Sequence, residues 1–154
     1  MNYRKTINWL ENKYDEKSTI RLKDMKNKFK HNLDSVNPVI YDVFIKNLSP
    51  IKLGLTEINP GNVNGEFYMT RGHVHKKKTP EFYILLEGKG MLVIQKNNKI
   101  KSIKLKIREV TFVPSGYAHR LINLGAKKLK ALTIYQEDSM PNYNIKFKKR
   151  FFKK

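Results

Sequence analysis

An all-β domain is the fold class this sequence predicts, and three observations predict it. From Val39 onward, short apolar runs rich in Val, Ile, Tyr and Phe recur at roughly 8–12-residue spacing. Turn-forming residues punctuate them: Pro60-Gly61, Gly88-Lys89-Gly90, Asn97-Asn98, Pro114-Ser115-Gly116 and Leu124-Gly125. The chain has 154 residues, with 40% hydrophobic and 11% aromatic side chains, enough for one core and too apolar for disorder. A sandwich or barrel of short strands satisfies all three.

Residues 1–36 read as a helical or extended N-terminal segment, and residues 37–154 as the β domain, in one structural unit. Leu22, Met25, Phe29 and Leu33 recur at spacings of three and four, which predicts an amphipathic helix over Leu22–Leu33. Asn37-Pro38 ends that pattern. The strand candidates are VIYDVFI, KLGLTEI, GEFYMTR, EFYILLEG, MLVIQK, IKSIKLKI, EVTFVP, HRLIN and LKALTIYQ. Asn144–Lys154 reads as a solvated basic end, with a last strand or a phosphate-binding arm as the other readings. Trp9 reads as a packing anchor or a partly exposed aromatic, and His31 as a surface residue.

Without cysteine, disulfides, thiolate-bound metal and a thiol nucleophile are excluded. No apolar run reaches the roughly 18 residues of a membrane span, and the first residues lack the apolar stretch of a signal peptide. A soluble cytoplasmic protein, with no membrane partner, is the expectation. The 32 basic and 13 acidic residues give a net charge of +19, which attracts nucleic acid, acidic surfaces or phosphorylated small molecules. The lysines are spread along the whole chain, so charge alone assigns no function.

Three of the four histidines carry the chemistry. His73-Val74-His75 follows a strand candidate, and residues i and i+2 of an extended chain face the same way. Two imidazoles placed so can meet one ion. Glu81 opens the next strand candidate, and His119 follows the Pro114-Ser115-Gly116 turn. Three imidazoles and one carboxylate suit a first-row divalent metal with positions left for water or substrate.

His73-x-His75…Glu81, with six residues before Gly88, resembles the first motif of the cupins, and Pro114-x-Gly116-x-x-His119-x-x-x-Asn123 resembles their second. The wider pattern is similar to one branch, the archaeal cupin-type phosphoglucose isomerases. Asn37–Phe44, Thr56–Gly61, Gly65-Glu66-Phe67, Thr70–His75, Glu81-Phe82-Tyr83, Ala118-His119-Arg120, Ile134-Tyr135 and Tyr143 carry it, over roughly residues 23–143. The resemblance implies a jelly-roll β-barrel and interconversion of glucose 6-phosphate and fructose 6-phosphate by C1/C2 hydrogen transfer. It implies His73, His75, Glu81 and His119 as ligands of one divalent metal per chain, iron(II) first, with manganese, nickel or zinc as alternatives. It implies Tyr41, Thr56, Thr70 and Gly72 at the sugar-phosphate end, and Tyr83, Tyr135 and Tyr143 around the sugar chain. Glu81 and Tyr135 take the catalytic roles, and a homodimer is the implied assembly.

Several positions depart from that branch. The His75–Glu81 gap is one residue shorter than its pattern, the loop Lys76–Pro80 is unusually basic, and Arg108 occupies a turn usually made by glycine. Fold does not fix function, so three other classes stand beside the isomerase. One is a metal-binding cupin acting on another phosphorylated or nucleotide sugar. The second is a cupin dioxygenase, which would line its pocket with apolar side chains. The third is a non-catalytic sugar- or nucleic-acid-binding cupin, ranked last because no arginine-and-aromatic cluster of a nucleic-acid reader is visible.

Overall fold

The computed structural model describes residues 2–31 and 35–154. An N-terminal helix α1 (Tyr3–Lys13) leads into β1 (Glu16–Arg21) and a single 3-10 turn over Leu22–Met25. The β domain follows as β2 (Val39–Leu48), β3 (Ile51–Ile58), β4 (Asn62–Val63), β5 (Glu66–Phe67), β6 (Val74–His75), β7 (Glu81–Glu87), β8 (Gly90–Lys96), β9 (Lys99–Lys104), β10 (Val110–Val113), β11 (Ala118–Asn123), β12 (Leu129–Gln136) and β13 (Pro141–Asn142). All the predicted strands appear except GEFYMTR, of which only β5 is regular. Among the described residues, no helix is long and apolar enough to cross a membrane.

Two sheets face each other. One has six antiparallel strands in the order β1-β2-β3-β12-β7-β10; the other is β11-β8-β9. Residues 69–73 extend the second sheet through the bridges Met69–Ile122 and His73–His119, and the β13–β6 pair continues it. This is the jelly-roll layout of the cupin fold. The sheets stay separate, so among the described residues the expected barrel is an open sandwich, not a closed hydrogen-bonded cylinder.

Period-2 alternation decides what each strand turns inward. Register places Val43, Thr56, Ala131 and Leu85 in one transverse row, and Ile45, Gly54, Thr133 and Tyr83 in the next. Lys52, Tyr135 and Glu81 form the row beyond. The inner face therefore grades from apolar to polar toward one end. The apolar part joins Ile40, Ile58, Leu92, Leu121 and Leu129 in the main core.

The outward face of the six-stranded sheet carries Phe44, Leu55 and Leu86, and α1 covers them with Ile7 and Leu10. Lys130 and Glu11 pair beneath the helix, and Lys130 also lies 3.0 Å from the buried Glu57. Trp9 is partly exposed, at 36% of its surface, and His31 is exposed, as read from the sequence.

Two expectations are corrected. The helix over Leu22–Leu33 is only the turn Leu22–Met25, because Asn27 takes φ +66° and breaks the helical path. Leu22, Met25 and Phe29 are nevertheless buried in the main core; Leu33 lies outside the described residues. The basic end is not a free solvated arm. Phe147 is buried, the Phe151 carbonyl accepts a 3.1 Å hydrogen bond from the Phe67 amide, and Arg150 pairs with the buried Glu66 at 2.7 Å.

Asn123, at the end of β11, is fully buried. Its Nδ2 donates to the carbonyls of Ile58 (3.0 Å) and Lys127 (2.9 Å), and its Oδ1 accepts from the Gly125 amide (2.9 Å). Asn123→Ala strands these groups in the interior. It is expected to cost about 3 kcal/mol in urea unfolding, given about 1–3 kcal/mol per buried group left unpaired.

Candidate metal centre

The two sheets supply the ligands jointly. His73 and His119 exchange backbone hydrogen bonds, His73 N to His119 O at 3.1 Å and His119 N to His73 O at 2.9 Å, which sets their rings side by side. His75 lies on β6, two residues further along the same extended chain. Glu81 starts β7 in the opposite sheet, opposite Tyr135 and Val113. The short basic loop Lys76–Pro80 still delivers Glu81: its Oε2 lies 2.7 Å from His119 Nε2, 3.1 Å from His75 Nε2 and 3.8 Å from His73 Nε2.

The Nε2 atom of His73 is 3.1 Å from those of both His75 and His119, and one donor atom from each of the four residues lies within 4.8 Å of all the others. Donors held about 2.1 Å from one ion stand roughly 3–3.5 Å apart, so this set fits a divalent metal. Glu81 Oε2 is buried and its near neighbours are the three imidazole Nε2 atoms, the setting of an atom meant for an ion. His119 Nδ1 faces the Tyr117 carbonyl at 3.1 Å, and His75 Nδ1 faces Thr79 Oγ1 at 3.1 Å and the Thr79 carbonyl at 3.3 Å. Such contacts put the ring proton on Nδ1 and leave Nε2 free to ligate.

The protonation states of His73 and Glu81 suit a ligand role. Burial, reinforced by His119, holds His73 down to about 3, so it stays neutral and ready to bind. Burial also opposes ionisation of Glu81, but the charge and hydrogen bonds of the neighbouring imidazoles outweigh it and hold the carboxyl below its usual range. For His119, burial acts downward while Glu81 more than compensates, and the net shift is upward.

A cavity of about 430 Å³ opens on this cluster. Tyr41, Thr56, Thr70, Gly72, Tyr83, Tyr135 and Tyr143, all singled out in the sequence, line it together with His73, His75 and Glu81. His119 stands behind that wall, with its ring 5.8 Å from the Tyr83 ring. Tyr143 lies 5.7 Å from His73, brought back by the β13–β6 pairing. Burial, followed by the Glu81 charge, pushes the Tyr83 and Tyr135 phenols upward, so both remain neutral hydrogen-bond donors.

Sequence reasoning missed part of the wall. Lys52 and Thr133 also line the cavity. The signal was present: Lys52 shares a strand face with Thr56, and Thr133 with Tyr135. Thr79 carried no such signal, since its contact with His75 depends on how the loop folds.

Gly72 sits where the chain needs φ +73°, and a Cβ there would run into the Phe147 ring and lie 3.1 Å from Arg120 Cβ. Gly72→Ala combines left-handed strain with overpacking. It is expected to cost about 2–4 kcal/mol in denaturant unfolding.

Comparisons with known proteins follow the same lines. The family model described as Glucose-6-phosphate isomerase (GPI) matches residues 29–152. The chain is 33% identical over 150 residues to the glucose-6-phosphate isomerase of Thermococcus litoralis, covering 90% of this chain and 79% of that one. It is 32% identical to that of Pyrococcus furiosus over the same shares. Among solved structures, Lactobacillus farciminis oxalate decarboxylase in complex with formate superposes with a TM-score of 0.55 at 19% identity, over 73% of this chain and 31% of that one. Bacillus subtilis oxalate decarboxylase gives 0.54 at 21%, over 66% and 26%. At such identities the two enzymes bear on the fold alone.

Proposed function

Because the chain belongs to the glucose-6-phosphate isomerase family, we propose that it is a metal-dependent aldose–ketose isomerase interconverting glucose 6-phosphate and fructose 6-phosphate. The observation that carries this reading is one cavity holding both a three-histidine, one-glutamate cluster and a wall of threonine and tyrosine hydroxyls.

The reaction moves a hydrogen between C1 and C2 of the open-chain sugar while the neighbouring oxygens exchange alcohol and carbonyl character. His73, His75, Glu81 and His119 hold the ion, which supplies Lewis-acid stabilisation of charge on those oxygens. Glu81 is the group that takes and returns the C1/C2 proton. Tyr135 and Tyr83, kept neutral, donate hydrogen bonds to the sugar oxygens. Tyr41, Thr56, Thr70 and the Gly72 amide receive the phosphate, for which hydroxyl and backbone N–H donors are suited. Iron(II) is the proposed native ion, with manganese, nickel or zinc as substitutes. A cytoplasmic homodimer acting in glycolysis and gluconeogenesis completes the proposal.

The hydroxyl-rich wall favours this reading over a dioxygenase, whose substrate pocket would be apolar. The test is a fructose 6-phosphate to glucose 6-phosphate assay coupled to a dehydrogenase. Chelator is expected to abolish turnover, and one restored metal to return it to ordinary enzyme rates, roughly 1–1000 per second. A fully metal-loaded protein without turnover on any of the four ions overturns the proposal.

A further inference from the structure

Thr56, Thr70, Gly72 and Tyr41 offer hydrogen bonds but no positive charge. A phosphate monoester carries about −1.5 to −2 at neutral pH, and an anion drawn into a partly buried cavity needs a compensating cation. Lys52 lines the same cavity but is paired with Glu16 at 3.3 Å; the cation flanked by Thr70 and Gly72 is Arg71.

Arg71 lies between Thr70 and Gly72. Its guanidinium carbon sits 4.2 Å from the centroid of the Tyr143 ring. Its amide is 3.4 Å from the Tyr41 hydroxyl, which also meets the Arg71 side chain. Arg71 thus touches two residues of the cavity wall, Tyr41 on β2 and Tyr143 just after β13. Its Nε is buried and makes no hydrogen bond. No carboxylate among the described residues lies within ion-pair distance of it. The backbone here is fixed: Arg120 donates to the Arg71 carbonyl at 2.9 Å and stacks on Phe147 at 4.4 Å. Lys28 donates to the Tyr143 carbonyl at 2.6 Å. Glu66 is already engaged by Arg150 at 2.7 Å and by the Lys30 amide at 2.7 Å. The positive charge behind Gly72 is left for a ligand.

We infer that Arg71 is a specificity-determining residue that holds the phosphate of the substrate, reaching it beside Tyr41 and Tyr143. This rests on the isomerase reading for the identity of the substrate. A charge-assisted hydrogen bond contributes more than a neutral one, so its removal weakens binding by roughly 10- to 100-fold.

The experiment compares wild type, Arg71→Met and Arg71→Lys as metal-loaded enzymes. Arg71→Met is expected to raise the KM for fructose 6-phosphate and the inhibition constant of inorganic phosphate together, by roughly 10- to 100-fold. Metal content stays at the wild-type level, and the loss falls on KM and not on kcat. Arg71→Lys returns part of the affinity, because the charge remains while the planar fork is lost. Unchanged KM and phosphate inhibition in a fully metal-loaded Arg71→Met enzyme overturn the inference and leave the isomerase reading standing. Calorimetric titration of inorganic phosphate separates the two ideas from the other side. Weaker binding by Arg71→Met supports the Arg71 role even if no isomerase turnover is found, and equal binding by both proteins overturns it.

Discussion

His119→Ala is expected to lose the metal and all isomerase turnover together. The imidazole is buried, its Nε2 lies 2.7 Å from Glu81 Oε2, and its Nδ1 is oriented by the Tyr117 carbonyl at 3.1 Å. Alanine removes one of four donors and leaves the buried Glu81 carboxylate without its nearest compensating group. Disturbing only the outer partners of a metal site costs roughly 10- to 100-fold in affinity, so loss of a ligand exceeds that. The backbone bonds between His73 and His119 do not involve the ring, and the β-sheet circular dichroism signal is therefore retained. Elemental analysis reads the metal; His31→Ala, at an exposed position, is the matched control and keeps both metal and activity. A His119→Ala protein with full metal content removes His119 from the ligand set.

Glu81→Gln is the second large effect. The amide has the shape of the carboxylate and keeps an oxygen for the ion, but it cannot accept the C1/C2 proton. General-base catalysis contributes roughly 10²- to 10⁴-fold, and kcat is expected to fall by that amount while the fold persists. Running wild type in deuterium oxide adds a direct reading, since a proton taken up by Glu81 exchanges with solvent and labels the product. Full turnover in the glutamine variant removes Glu81 as the base, while solvent deuterium in the wild-type product excludes a direct hydride shift.

The strands were legible because burial on a sheet writes a period of two into the sequence, and the turns between them need Gly, Pro or Asn. The ligand set was legible for a related reason: His73 and His75 share a face only on an extended chain, so the spacing carried the geometry. The N-terminal segment was not. The apolar side of α1 consists of Tyr3, Ile7 and Leu10 in a polar stretch, whereas Leu22, Met25 and Phe29 keep helical spacing while Asn27 turns the chain out of a helix. Burial alone satisfied that spacing. The role of Phe147 was hidden as well, because nothing in a lysine-rich tail says which aromatic will settle beneath a glycine more than seventy positions earlier.

That settled aromatic gives the order of synthesis a meaning. The four residues of the candidate metal cluster lie between residues 73 and 119, so a growing chain holds the complete cluster well before residues 144–152 have been made. The ring under Gly72 and the Arg150 partner of Glu66 come last. A chain stalled or clipped after Tyr143 would carry the whole candidate cluster with Gly72 unsupported, so metal content would be a poor proxy for a correctly packed cavity.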